Sequence, residues 1–213
     1  MVIAIDGPSG SGKTTTAKIL SEKLKFYYCD SGSLYRAVTY YLINNKVNLD
    51  DISSISNELL KIEIQYDIFT NSINLNGVNV SSFLRSENVT QNVSKVSSIK
   101  AVRDFLISIQ RRLAENNNII LDGRDIGTTV FPNAEYKFYI DAKIEVRAKR
   151  RFEELNGKYN YQDILDMMIE RDSYDQNREC SPLKKAEDAI SIDTTDLTLS
   201  EQVNRIINII NKE

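Results

Sequence analysis

Residues Gly7-Pro8-Ser9-Gly10-Ser11-Gly12-Lys13-Thr14 fill every position of the G-x-x-x-x-G-K-[ST] pattern. They follow an apolar run, Val2–Asp6, that reads as a buried strand, and they open into a helical pattern over Lys13–Leu24. That context narrows the fold. A strand that turns through a glycine-rich loop into a helix belongs in an open, mainly parallel sheet, with the loop at the strand's carboxyl end. The glycines let the backbone wrap closely around phosphate oxygens and aim its N–H groups inward. The helix start adds its positive end. Lys13 is expected to reach the β- and γ-phosphates of a nucleotide, and the Thr14 hydroxyl to ligate Mg²⁺. The phosphate-holding segment is thus expected to run from Gly7 through Thr15.

The rest of the chain agrees with this architecture. Short apolar runs at 27–29, 119–122, 136–140 and 189–192 read as further buried parallel strands. Helical patterns lie between them at 33–44, 99–115, 144–155 and 161–175. A last helix is expected at 200–210, with Val203, Ile206, Ile207 and Ile210 on one face. The expected fold class is α/β, a five-stranded parallel sheet flanked by helices. One segment breaks the rhythm. Ile62, Ile64, Tyr66 and Ile68 alternate with polar residues, and Ile73, Leu75, Asn76-Gly77, Val78 and Val80 follow. Asn76-Gly77 is a type I′ hairpin signal, so a small antiparallel sheet is inserted here. As a pattern alone, it reads equally as decoration or as a lobe that closes over a substrate.

Composition removes several kinds of chemistry. The chain has no histidine, which excludes Ser-His-Asp and Cys-His catalysis and His-ligated metal sites. Phosphoryl transfer survives, because it depends mainly on positioning and charge neutralisation. A net charge of −3 argues against a general affinity for nucleic acid. No apolar run approaches the roughly 18 residues of a membrane helix. The start Val2-Ile3-Ala4-Ile5 is too short for a signal peptide and has no basic residues before it, so a cytoplasmic location is expected. Cys29 and Cys180 then read as free thiols. No exposed apolar stripe stands out, and a monomer is the expectation.

The phosphate loop alone does not separate kinases from GTPases or switches. Asn45-Lys46-Val47-Asn48 fails the guanine-recognition pattern N-K-x-D at its fourth position. Elsewhere, charged motifs gather at strand ends. Asp30-Ser31-Gly32-Ser33-Leu34-Tyr35-Arg36 follows the second strand. Asp122 closes the third and suits Mg²⁺ or its water, though a capping role is also open. Gly123-Arg124-Asp125-Ile126-Gly127-Thr128 comes next. If the helix through Glu170-Arg171-Asp172 continues, Arg171, Asp175 and Arg178 share one face at i, i+4 and i+7, as a phosphate site or as a solvated ion-pair ladder. The basic run Arg147-Ala148-Lys149-Arg150-Arg151 reads as a solvated helix face, a nucleic-acid patch or the edge of a lid.

Together with Phe131-Pro132, these motifs run in order from Val2 to the final helix, and the chain resembles the bacterial-type cytidylate kinases, P-loop nucleoside monophosphate kinases. Thr14 stands where many members carry glycine, and the stretch between Phe152 and Tyr161 is shorter than many members have. The resemblance implies one kinase domain over 1–213, with a core at 1–60 and 99–213, a monophosphate-binding insert at about 61–98 and a short helical lid at about 150–162. It implies Mg²⁺-dependent transfer of the γ-phosphoryl of ATP to CMP or dCMP. By the same resemblance, Arg36, Arg124 and Arg178 hold the monophosphate, and Ser31, Arg171 and Asp175 contact the ribose. Ser94 and Arg103, with Asp125, read the base, and Lys13, Arg124, Arg178, Arg150 and Arg151 serve catalysis. An Asp carboxylate can accept from the cytosine amino group, whereas uracil would present it with a carbonyl. UMP or dTMP as acceptor, and a nucleotide switch without transfer, are the competing readings.

Overall fold

The computed structural model describes residues 1–156 and 158–211. Gly157, inside the expected lid, and Lys212 and Glu213, at the end of the expected domain, lie outside the described residues. Five parallel strands form the main sheet: β1 (Val2–Asp6), β2 (Tyr27–Asp30), β6 (Ile119–Gly123), β7 (Tyr136–Asp141) and β8 (Ile190–Asp193), in the order β2-β6-β1-β7-β8. β1 is central and pairs with β6 on one side and β7 on the other. Its carboxyl end therefore opens at the point where the chain's crossovers change direction, the place where such sheets bind ligands.

Helices α1 (Lys13–Leu24) and α8 (Leu199–Ile210) cover one face of the sheet, closing a core around Ile3, Ile5, Leu20, Phe138, Ile192 and Ile206. On the other face lie α2 (Ser31–Asn44), α3 (Ile52–Leu59), α4 (Glu87–Ser97) and α5 (Lys100–Ala114). The antiparallel sheet β3 (Ile64–Asp67), β4 (Ser72–Leu75), β5 (Val78–Asn79) joins that same core, with Ile73 fully buried beside Val38, Leu42 and Ile55. Asn76 and Gly77 both have positive φ, 50° and 80°, as the hairpin signal requires. Helices α6 (Ile144–Glu154) and α7 (Tyr161–Asn177) form a hairpin over the carboxyl end of the sheet, with its own apolar contact of Ala148, Ile164 and Met168. Among the described residues no helix is long and apolar enough to cross a membrane. Both cysteines are free, Cys29 buried and Cys180 half-buried.

Three departures from the sequence expectation have physical causes. α2 starts at Ser31, not at 33, because the Asp30 side chain accepts the Ser33 N–H and caps the helix. α3 and α4 carry no strong sequence signal. In α4 the buried stripe is Val89, Val93 and Val96 among Asn, Ser and Thr, residues of modest helix propensity that tertiary burial overrides. α7 ends at Asn177, and Arg178 leaves it with extended backbone, φ −64° and ψ 142°, so the expected i, i+4, i+7 helical face is not formed.

Candidate active site

β1 hands the chain directly to the phosphate loop. Gly7 has φ 154°, and a Cβ there would lie 2.0 Å from the Ile140 carbonyl oxygen, so only glycine lets the loop leave β1 beside β7. Gly12, with φ 89°, caps α1, and the helix begins at Lys13. The Lys13 ammonium donates to the Pro8 carbonyl at 2.8 Å. Burial, then repulsion by Arg124, pushes its pKa down to about 7. Thr14 Oγ1 donates to Asp122 Oδ2 at 2.7 Å, and the Tyr28 hydroxyl donates to Asp122 Oδ1 at 2.6 Å. Burial, then Asp30, pushes the Asp122 carboxyl above its ordinary range.

The loop is gripped from outside. At its crest the Ser9 N–H donates to Asp172 at 3.4 Å, and Arg147, itself paired with Asp172, donates to the Ser9 carbonyl at 3.1 Å. At its back, Thr194 Oγ1 donates to the Ser11 carbonyl at 3.1 Å. Arg150 does not point freely at the loop: it donates to the Thr194 carbonyl at 2.7 Å. Arg151 pairs with Glu154 at 2.9 Å. Both arginines nonetheless line the cleft.

A second cluster faces the loop across this cleft. Arg36 donates to Thr90 Oγ1 at 3.0 Å and to the Leu84 carbonyl at 3.3 Å. Arg124 Nε donates to Asp175 Oδ2 at 2.9 Å. Arg178 lies 3.8 Å from Asp125 and 3.9 Å from Asp175, and its Nε donates to the Ser181 carbonyl at 2.6 Å. Arg103, fully buried, pairs with Asp125, donates to the Ser97 carbonyl at 2.9 Å and lies 5.2 Å over the Tyr35 ring. Arg171 Nε, Arg178 Nη2, Arg103 Nε and the Tyr35 hydroxyl are buried without a hydrogen-bond partner among the described residues. The charges are crowded enough to titrate abnormally. Burial, then Arg124, pushes Arg171 down to about 10. Burial, then Arg171, does the same to Arg36. At Asp175 burial acts upward, but Arg124, Arg171 and Arg178 outweigh it and hold the carboxyl below its ordinary range.

The glycine-rich loop and the arginine cluster line one cavity of about 1040 Å³. Ser9, Gly10, Gly12, Lys13, Thr14 and Thr15 of the loop line it. Ser31, Arg36, Arg103, Arg124, Asp125, Arg171, Asp175 and Arg178 also line it, as does Asp122, which Thr14 joins to the loop. Gly7, Pro8 and Ser11 of the same loop are buried and do not line the cavity. Ser31 faces the cavity, but its hydroxyl donates to the Asp122 carbonyl at 2.7 Å, tying α2 to β6. Ser94 is outside the lining. The α4 residues that face the cavity are Thr90, Val93 and Ser97, and the Ser94 carbonyl accepts the Ser97 hydroxyl at 2.9 Å. Phe131-Pro132 lies elsewhere, in a groove of about 310 Å³ shared with Val2, Arg111 and Glu135.

Sequence reasoning missed Tyr28, Arg147, Asp172 as a loop anchor, and Thr194. Each acts on backbone or on another side chain across more than 90 positions of sequence, which no local pattern reveals. Arg85 was missed too; it reaches the cavity mouth and lies 3.7 Å from Asp30. Tyr35, within the Asp30–Arg36 motif, lines the cavity beneath Arg103.

A cavity with a phosphate loop at one end and converging guanidiniums at the other can hold two phosphorylated molecules end to end. Comparison with known proteins agrees. The family model described as cytidylate kinase matches residues 3–212. A cytidylate kinase of Fusobacterium nucleatum subsp. nucleatum is 46% identical over 215 residues, covering 100% of this chain and 98% of that protein. One from Clostridium botulinum strain Okra is 44% identical over 99% of this chain and 98% of its own length. One from Caldanaerobacter subterraneus subsp. tengcongensis is 44% identical over 99% and 94%. Among solved structures, an uncharacterised protein of Eubacterium ventriosum superposes over 100% of this chain and 99% of its own at a TM-score of 0.56 and 15% identity, a likeness of fold. On the family model and the full-length relatives, the chain belongs to the cytidylate kinase family.

Proposed function

We propose that this cleft transfers the γ-phosphoryl group of ATP to CMP and dCMP, giving ADP with CDP or dCDP. The observation that carries the reading is a pair of sites suited to phosphate, the loop at Ser9–Thr15 and the trio of Arg36, Arg124 and Arg178, lining one cavity. The depressed pKa values of Arg36, Arg171 and Lys13 support it, since cations crowded against one another are cations arranged for an anion.

In this reading the Ser9–Thr15 backbone and Lys13 hold the β- and γ-phosphates. Lys13 leaves the Pro8 carbonyl to do so. Arg36, Arg124 and Arg178 hold the acceptor phosphate in line. Arg124 stands between the two sites, where it can stabilise the charge in transit. Arg171 and Asp175 serve the ribose. Positioning supplies most of the rate, because the acceptor is a phosphate oxygen that needs no strong base. Arg103 and Asp125, joined by Arg178, form the base end, where a carboxylate suits the cytosine amino group. Ser94 takes part only if α4 turns relative to this arrangement.

Thr14 and Asp122 fit a divalent cation brought in with ATP: both offer hard oxygens, and Asp122 is a buried carboxylate short of positive charge. When bound, Mg²⁺ would draw charge from the phosphate oxygens. A monomeric cytoplasmic enzyme acting on free nucleotides is part of the same proposal, and light scattering of the purified chain tests the monomer. A net charge of −3 supports a protein without general nucleic-acid affinity.

A coupled assay for ADP release, run with CMP, dCMP, UMP, AMP and dTMP as acceptors, tests the function. Turnover highest with CMP and dCMP is expected. A rate that no acceptor raises above ATP hydrolysis would refute the kinase reading, and a preference for UMP would refute the base assignment.

A further inference from the structure

We propose that Asp6 is a positioning residue for the acceptor side, its carboxylate holding the turn after β6 in the shape that presents Asp125 to the base. The proposal rests on the functional reading above, in which Asp125 reads cytosine. Asp6 ends β1 directly before the phosphate loop and is 5% exposed. Its Oδ1 accepts the Ile126 N–H at 2.8 Å, and its Oδ2 accepts the Gly127 N–H at 2.7 Å.

Those two amides open a wide turn over Ile126–Val130 that follows Asp125 immediately. Within it, the N–H groups of Thr129 and Val130 donate to the Asp125 carbonyl at 2.9 and 3.2 Å. Asp125 is thereby held from both directions, its carbonyl by the turn and its carboxylate by Arg103. Two successive amides converging on one anion form a nest, and here the anion is the protein's own. Asp6 is absent from the cavity lining, so it acts through the turn and not on the nucleotide. The strand that delivers the donor loop thus also sets the acceptor loop.

Asparagine at this position would offer one acceptor oxygen and set its NH₂ against an N–H. One of two charge-assisted hydrogen bonds would be lost and the other weakened. In Asp6→Asn the KM for CMP should rise about tenfold, or about 1.4 kcal/mol, with the KM for ATP within about twofold of wild type. The preference for CMP over UMP should narrow, because the turn orients the base-reading carboxylate.

Gly127→Ala supplies a second perturbation if Asp6→Asn does not fold. Its Cβ would lie 3.2 Å from the buried Lys137 side chain, tighter than ordinary contact, and would touch Asp6 Oδ2 at 3.4 Å, so the turn or Lys137 must shift by a few tenths of an ångström. The same split, CMP affected and ATP spared, is expected. In either folded variant, equal changes in both KM values, or no change in CMP KM and base preference, would overturn the proposal. A wild-type protein that does not phosphorylate CMP would refute the functional reading instead.

Discussion

Arg124 sits where its charge is unwelcome to its neighbours. After burial, it heads the charges that depress Lys13 and Arg171, and its charged partner is Asp175 at 2.9 Å. Arg124→Met keeps the stem and removes the charge. Two terms then oppose each other in the free protein. Asp175 loses a charge-assisted hydrogen bond, roughly 1.5–3 kcal/mol. Relief of repulsion among buried cations returns energy of the same order, and Arg178 remains 3.9 Å from Asp175 to share its charge. The net change in unfolding free energy should be about 1 kcal/mol or less. The rate should respond far more, because losing one preorganised charge contact costs about 2.7–4 kcal/mol of barrier, a hundredfold or more in kcat. Urea unfolding and the ADP-release assay on the same preparation give both numbers. A variant that loses several kcal/mol of stability yet keeps kcat within about twofold would show Arg124 to be a structural residue and refute the reasoning.

Other outcomes are equally specific. Gly7→Ala would press a methyl group to 2.0 Å from the Ile140 carbonyl, and chemical denaturation should show a loss of about 3 kcal/mol or more. Folded Lys13, with its pKa lowered to about 7, binds fewer protons than in the unfolded chain from pH 7 up to the ordinary value of 10.5, so its contribution to stability grows as pH rises through that window. ATP should favour the ammonium, and calorimetry at about pH 8 in buffers of different ionisation enthalpy should detect uptake of close to one proton, which Lys13→Met abolishes. Tyr28→Phe removes the 2.6 Å bond that orients Asp122, and the Mg²⁺ concentration for half-maximal rate should rise about tenfold with the KM for CMP unchanged.

The strand, glycine-rich loop and helix of the candidate site were legible because their determinants are local. Strand, loop and helix from Val2 to Leu24 are contiguous, and the glycine positions encode the backbone path directly. The hairpin at Asn76-Gly77 was legible for the same reason. What stayed hidden depends on tertiary burial. α4 is a helix because Val89, Val93 and Val96 find a core, and without that helix its cavity face of Thr90, Val93 and Ser97 could not be read. Arg178 comes within 3.8 Å of Asp125 from extended backbone, so the helical face that periodicity suggests is not what brings it there. The grip of Arg147 and Asp172 on Ser9 joins residues 138 and 163 positions from that serine, beyond any local signal.

One cleft that seats donor and acceptor together is most directly tested with a bisubstrate ligand, adenosine and cytidine joined through five phosphates. Isothermal titration should give one molecule bound per chain, more tightly than ATP or CMP alone, with competition from both. A ligand displaced by ATP but indifferent to CMP, or bound no more tightly than ATP, would place the acceptor outside the arginine cluster and contradict the account.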